Sequence, residues 1–346
     1  IKENLRKMWA EFELKNAQEK PSVKFDPAPE QKKNILTKFL TASEEEDVTH
    51  IAFINKKTPE TSSWTYAHEL GRLYLKDAFH GRVRTKAYDN ISDTEDAVAA
   101  IEQAIADGNE MIFTTSPEFL SASLRVAVNH PEIKILNCSL NASHKYIRTY
   151  YGRMYEAKFL IGVLAGVMTD TNKIGYIADY PIFGMTANIN AFALGVKMVN
   201  PKAKIYLEWS TLKENEHIDL TAKLYSLGAT YISHQDMIIP RKISRQFGLF
   251  RVNGETPVNL AFPAWNWGKY YERIIRNVQN GIWNTEEKSD ANKALHYWWG
   301  MSAGVVEVIT SRSLPEGTAR LVELLRRAIC SSEFEPFAGV ITDQNG

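Results

Sequence analysis

Beyond residue 47 the chain switches repeatedly between two hydrophobic periods. Short apolar runs end in small polar residues, and longer stretches carry apolar residues three and four apart. Ile51–Ile54 predicts a strand, Trp64–Phe79 a helix and Arg82–Tyr88 a strand. Ser92-Asp-Thr-Glu95 reads as a capping box, in which Ser92 accepts from the N3 amide and Glu95 reaches back to the cap. Val98, Ile101 and Ile105 then mark one helix face, and Gly108 stops it. Met111–Phe113 predicts a strand ending in Thr114-Thr115-Ser116-Pro117, with a helix to about Val128. Ile133–Leu136 is a strand ending in Asn137-Cys138-Ser139.

After a long helix near Glu156–Met168 the rhythm restarts. Lys173–Ala178 is a strand ending in Asp179-Tyr180-Pro181, and a helix spans about Thr186–Val199. Strand Lys204–Leu207, helix Asn215–Leu227 and strand Thr230–Ser233 follow, the last ending in His234-Gln235-Asp236. Gly248–Val252 and Val258–Phe262 are strand-like, and Trp265-Asn266-Trp267-Gly268 leads into a helix near Tyr270–Val278. Repeated βα units imply parallel sheets with helices on both faces. Ligands of such sheets sit beyond the carboxyl ends of the strands, so the strand ends are the candidate site.

Residues 1–47 follow a different pattern. Leu5, Met8, Trp9 and Phe12 suggest a short amphipathic helix, Pro21, Pro27 and Pro29 break the chain, and Glu44–Asp47 forms an acidic run. We read this region as a helix and linker ahead of the folded part. The start, Ile1-Lys2-Glu3-Asn4, has no initiator Met and no apolar signal core, which reads as a chain cut from a longer one. At 346 residues and 44% hydrophobic the chain is long enough for two domains with a sizeable core. Lys+Arg and Asp+Glu both number 41, which argues against binding nucleic acid through whole-surface charge. No run of 18 apolar residues occurs, so no membrane span is expected. Cys138 and Cys330 fit no zinc or CxxC spacing and read as free thiols.

Neither a GxxxxGK phosphate loop nor an HExxH helix occurs in the sequence. His68-Glu69 reads as a helix surface. His234 and Asp236 alone make an incomplete metal site, and Cys138 with His144 lacks a third catalytic group. Arg241, Lys242, Arg245 and Arg251 read as a solvated basic face. We therefore expect no enzyme activity, no cofactor and no metal. The strand ends instead place aromatics beside neutral polar groups: Trp64 after Ser62-Ser63, Tyr180 and Phe183 after the first strand of the second half, and Trp265 with Trp267. Two flat π-faces suit a planar heterocycle. Trp298 and Trp299 lie in an apolar stretch and are expected in the core.

The chain resembles the basic membrane protein family of substrate-binding proteins, which includes purine-nucleoside receptors of ABC transporters. The resemblance rests on Ser62-Ser63-Trp64-Thr65-Tyr66, Lys173-Ile-Gly-Tyr-Ile-Ala-Asp179, and Asn190-Ala-Phe-Ala-Leu-Gly195 through Asn200-Pro201. Trp265-Asn-Trp-Gly268-Lys-Tyr-Tyr271, Tyr297-Trp-Trp-Gly300 and Phe334-Glu-Pro-Phe337-Ala-Gly339 continue it. It implies an α/β type I periplasmic-binding-protein fold: two doubly wound parallel-sheet lobes, joined by three crossings, with a ligand cleft between them. The lobes are then expected at 48–155 plus 263–297 and at 156–262 plus 298–346. The implied ligand is a purine nucleoside or nucleobase, and the implied partner an ABC permease.

Carried over by position, Trp64 forms one wall of the base site, with Tyr180 or Phe183 the other. Ser116, Asn137, Ser139, Gln235 and Asp236 line a polar rim. Ser63, Tyr66, Asp179, Trp265, Asn266 and Trp267 complete the expected ligand-binding set. The sequence departs from ribose-holding members of the family, which use carboxylates and a lysine. Asn137-Cys138-Ser139 has no acid, Gly248–Asn253 lacks an Asp, and Ala264–Lys269 replaces a Thr-Ser-x-x-Lys segment. A free base or another flat ligand therefore fits as well as a nucleoside. The family implies a lipoprotein on the extracytoplasmic face. The alternatives are a cytoplasmic ligand-sensing domain of a regulator and, third, a nucleoside-processing enzyme.

Overall fold

A computed structural model describes residues 48–140, 146–179, 183–237, 245–252, 254, 256–283 and 296–341. The expected N-terminal helix, linker and acidic run lie outside the described residues, as do His144, Tyr180, Arg241 and Lys242. The first sheet is wholly parallel. It holds β1 (Thr49–Ile54), β2 (Val83–Tyr88), β3 (Met111–Thr114), β4 (Lys134–Cys138), β5 (Arg148–Gly152) and β11 (His296–Trp299), in the order β11-β5-β4-β3-β1-β2. The continuous apolar run of β1 is explained by burial on both faces. Ile51 and Phe53 pack toward helices α1 (Ser63–Ala78) and α7 (Trp267–Gln279). Ala52 and Ile54 pack toward α2 (Thr94–Ala106) and α3 (Leu120–Asn129).

The second sheet holds β6 (Lys173–Ala178), β7 (Lys204–Trp209), β8 (Tyr231–Ser233), β9 (Leu249–Arg251), β10 (Val258–Trp265) and β12 (Val306–Thr310). Its order is β12-β10-β9-β8-β6-β7. β6 is parallel to β7 and β8, but β9 runs antiparallel to β8 and β10, and β12 antiparallel to β10. Here the sheet departs from a fully parallel one, because the short connection from β9 to β10 cannot hold a crossover helix. Helices α4 (Met154–Met168), α5 (Phe183–Val199), α6 (Leu220–Ser226) and α8 (Glu316–Cys330) belong to this half. α4 and α5 touch backbone to backbone: a Cβ at Gly162 would collide with the Phe192 carbonyl, and one at Gly195 with the Phe159 carbonyl.

The chain passes between the sheets three times, after β5, β10 and β11. These crossings are tied together. The Arg153 N–H donates to the Trp299 carbonyl at 2.8 Å, and the Asn266 N–H to the Val305 carbonyl at 2.9 Å. The buried Glu156 carboxylate accepts from the Met301 N–H at 2.7 Å and lies 3.0 Å from Arg153 Nε. A Cβ at Gly300 would press directly on that carboxylate.

Several expectations need correction. The cap of α2 is Asp93, whose carboxylate accepts from the Asp96 N–H at 2.9 Å, and not Ser92. α6 begins at Leu220 behind an Asp219 cap, not at Asn215. β10 extends to Trp265 and α7 begins two residues later. Trp298 is 48% exposed, not core. On the edge strand β11 alternation turns Tyr297 inward and Trp298 outward, while Trp299 is partly buried. His68 is buried at 1% exposure, not on a helix surface.

Candidate functional site

The carboxyl ends of β1, β3, β4 and β5 form one wall of the candidate site. The N-cap hydroxyl of Ser62 accepts from the Thr65 N–H and starts α1, which fixes Trp64 in its first turn. Trp64 Nε1–H donates to the Thr115 carbonyl beyond β3 at 2.7 Å, anchoring the half-buried indole. Its ring lies 6.3 Å from Tyr151 at 27° and meets Trp265 edge-on at 5.7 Å. Trp265 arrives from the second sheet and lies across the end of β5, where a Cβ at Gly152 would collide with it. Trp265 and Tyr151 meet edge-on at 5.4 Å.

Behind these rings lies a sealed aromatic layer. Trp267 stacks on Trp265 at 4.9 Å and 5°, and on His68 at 4.3 Å and 20°. Trp267 is 1% exposed and its Nε1 is buried without a partner. It supports Trp265 from within the core, so the half-buried faces of this cluster are Trp64, Tyr151 and Trp265. His68 Nδ1 is hydrogen-bonded to the Tyr271 hydroxyl, and burial pulls the imidazole down to about 3, so it is neutral at ordinary pH.

The polar rim of this wall is built by Asn137, at the end of β4. Its Nδ2 donates to Thr114 Oγ1 at 2.8 Å and to the Ser116 carbonyl at 2.9 Å, bracing the turn after β3. Asn137 Oδ1 and Ser139 Oγ are buried and have no hydrogen-bond partner among the described residues. Beside them Cys138 is fully buried, and burial pushes its thiol up, away from nucleophile chemistry. Ser63, Tyr66 and Asn266 are half-buried, Asn266 directly ahead of α7.

The second sheet supplies the facing wall. Asp179, after β6, accepts from Ser210 Oγ at 2.8 Å. Beyond β8, His234 Nδ1 accepts from the Gln235 N–H at 2.6 Å, which leaves the proton of the neutral ring on Nε2. Burial holds the His234 imidazole below its usual range. The Gln235 carbonyl accepts from the Gly248 N–H at 2.7 Å. Asp236 forms an ion pair with Lys158 of α4, a residue buried to 3%. Helix α5 begins at Phe183, whose side chain lies outside the described residues with Tyr180. At its next residue, a Cβ on Gly184 would lie 3.3 Å from Leu140 and 3.6 Å from the Tyr151 hydroxyl, so this helix end reaches the first wall.

Tyr151, His68 and Lys158 were missed by sequence reasoning. His68 lies one turn from Trp64, which places both on one helix face. Lys158 is a lone cation within the apolar run of α4. Tyr151 carried no usable signal, since β5 itself was not recognised.

A model of the Bmp family, described as PnrA-like ABC transporter substrate-binding proteins, matches residues 48–239. The chain belongs to this family. A purine-binding protein of Brucella abortus is 27% identical over 316 residues, covering 88% of this chain and 87% of that one. A putative ABC transporter glucose-binding protein of Haloferax volcanii is 25% identical over 252 residues, 70% of this chain and 62% of its own length. Among solved structures, an ABC transporter solute-binding protein of Conexibacter woesei superposes with a TM-score of 0.62 at 14% identity. The match covers 83% of this chain and 98% of that one. The two-sheet α/β architecture is thus that of the periplasmic-binding-protein type, and these Bmp relatives are substrate-binding proteins rather than enzymes.

Proposed function

We propose that this Bmp protein binds a flat, purine-like ligand, a nucleobase or nucleoside, in the cleft between its two sheets and delivers it to an ABC permease. The observation that carries this reading is the placement of Trp64. Its indole is pinned by Nε1 to Thr115 and grouped with Tyr151 and Trp265 at the carboxyl edge of the first sheet. The purine-binding relative supports the same ligand class. A base stacked on one aromatic gains about 1–3 kcal/mol. Two such faces with a few hydrogen bonds approach the ~8 kcal/mol of micromolar binding.

Calorimetry with adenine, hypoxanthine, guanine, adenosine, inosine and glucose tests the reading. We expect heat with at least one purine and none with glucose. Trp64→Ala should weaken that binding by tenfold or more, in line with about 1–3 kcal/mol per stacked base. Absence of both heat and a melting shift with every purine would sink the proposal.

A further inference from the structure

The ion pair of Lys158 and Asp236 has an unequal geometry. Lys158 is almost wholly enclosed at 3% side-chain exposure, while Asp236 keeps 20%. One carboxylate oxygen, Oδ1, receives the ammonium. Among the described residues Asp236 is the only carboxylate paired with Lys158. Around the ammonium stand neutral groups. The Tyr176 ring centre is 5.4 Å away, and the buried hydroxyl of Ser233, the register partner of Tyr176 on β8, has no partner among the described residues.

A buried ion pair adds little net stability, because desolvation offsets the attraction. Stability alone therefore does not account for a lysine inside the otherwise apolar face of α4. We infer that Lys158 is a positioning residue: it holds Asp236 ionised, with its second oxygen turned to the cleft as an acceptor for an N–H donor on the edge of the ligand. Such donors are the ring N–H of an oxopurine or the exocyclic amine of adenine or guanine. The inference rests on the purine reading above and adds a requirement to it, since the ligand edge must carry a hydrogen.

The titratable groups around Asp236 set the expected pH response. Lys158 comes from α4, Tyr176 and Asp179 from β6 and its end, His234 from β8 and Tyr151 from β5. Burial holds the Asp236 carboxyl above its ordinary value, Asp179 adds to the rise, and Lys158 offsets only part of it. Without the ammonium, burial and Asp179 act unopposed, and the acid form, which cannot accept an N–H, grows in as pH falls.

Lys158→Met tests this, with binding measured by calorimetry from pH 8 to pH 5.5. For wild type we expect an affinity that changes little over this range. For the variant we expect near-normal affinity at pH 8 and a fall approaching tenfold per pH unit below its new midpoint. Lys158→Arg should restore the flat profile. A flat profile in a folded Lys158→Met protein overturns the inference and leaves the purine reading intact. If wild type binds no purine, the purine reading falls. Carbon-13 NMR titration of Asp236 without ligand then still decides the ionisation step, which requires a midpoint at least one unit higher in Lys158→Met. An unchanged midpoint overturns it, and the same titration on Lys158→Gln serves if the Met variant does not fold.

Discussion

His68 shows how one buried side chain couples stability to pH. The ring is stacked on Trp267 and enclosed by aromatic neighbours, and burial holds it at about 3 against about 6.5 when unfolded. The folded protein therefore keeps the neutral ring, while the unfolded chain takes up a proton below pH 6.5. The stabilisation is complete above pH 6.5 and is lost as pH falls toward 3, at up to about 1.4 kcal/mol per unit. Urea midpoints at pH 7.5 and 5 should show a larger drop for wild type than for His68→Phe; equal drops would refute the assignment. The sequence signalled only part of this cluster. Trp64 was legible because it follows a strand and a capping serine. The fate of Trp267 was not, because burial depends on Trp265 reaching over from the other sheet.

At the scale of elements, the contact of α4 and α5 depends on absent side chains. Gly162 and Gly195 each face a carbonyl of the opposite helix at a separation that no Cβ tolerates. Alanine is the better helix former by about 1 kcal/mol, so propensity alone favours Gly195→Ala. Overpacking works against it and is worth typically 1–3 kcal/mol, more where rigid backbone is the obstacle. We expect Gly195→Ala to lower the melting temperature by several degrees; an unchanged or raised value would show that the helices can separate at little cost. Periodicity captured the elements with strong apolar signals, such as β1 and β6. It missed β5 and β11, Arg-Thr-Tyr-Tyr-Gly and His-Tyr-Trp-Trp, whose strand preference lies in aromatic and β-branched residues rather than in alternation. The antiparallel placement of β9 and β12 is a long-range property that no local pattern encodes.

For the molecule as a whole, hydrogen bonds and an ion pair tie the three crossings to one another. Glu156 joins the first to the third through Arg153 and the Met301 N–H. Glu156→Ala would leave that buried N–H and part of a charge pair unmatched, a loss of about 3 kcal/mol. Glu156→Gln keeps an acceptor for Met301 and should be milder. Thermal melts of both variants, with and without ligand, check this. We expect the Ala variant to be the less stable and to bind more weakly, because looser crossings hold the two walls of the candidate site less firmly. Equal behaviour of the two would mean that the tie does not govern the site.

The interleaved chain path also bears on how the protein is made. β11 completes the first sheet and β12 the second, and both follow every other strand of the two sheets in chain order. A ribosome releasing the chain from its N-terminus therefore exposes β5 and β10 as open edges until β11 and β12 have emerged. Open edges are where nascent chains pair wrongly. Fragments ending before His296 should accordingly aggregate instead of folding as single lobes, which makes the emergence of β11 and β12 the point at which both halves become native together.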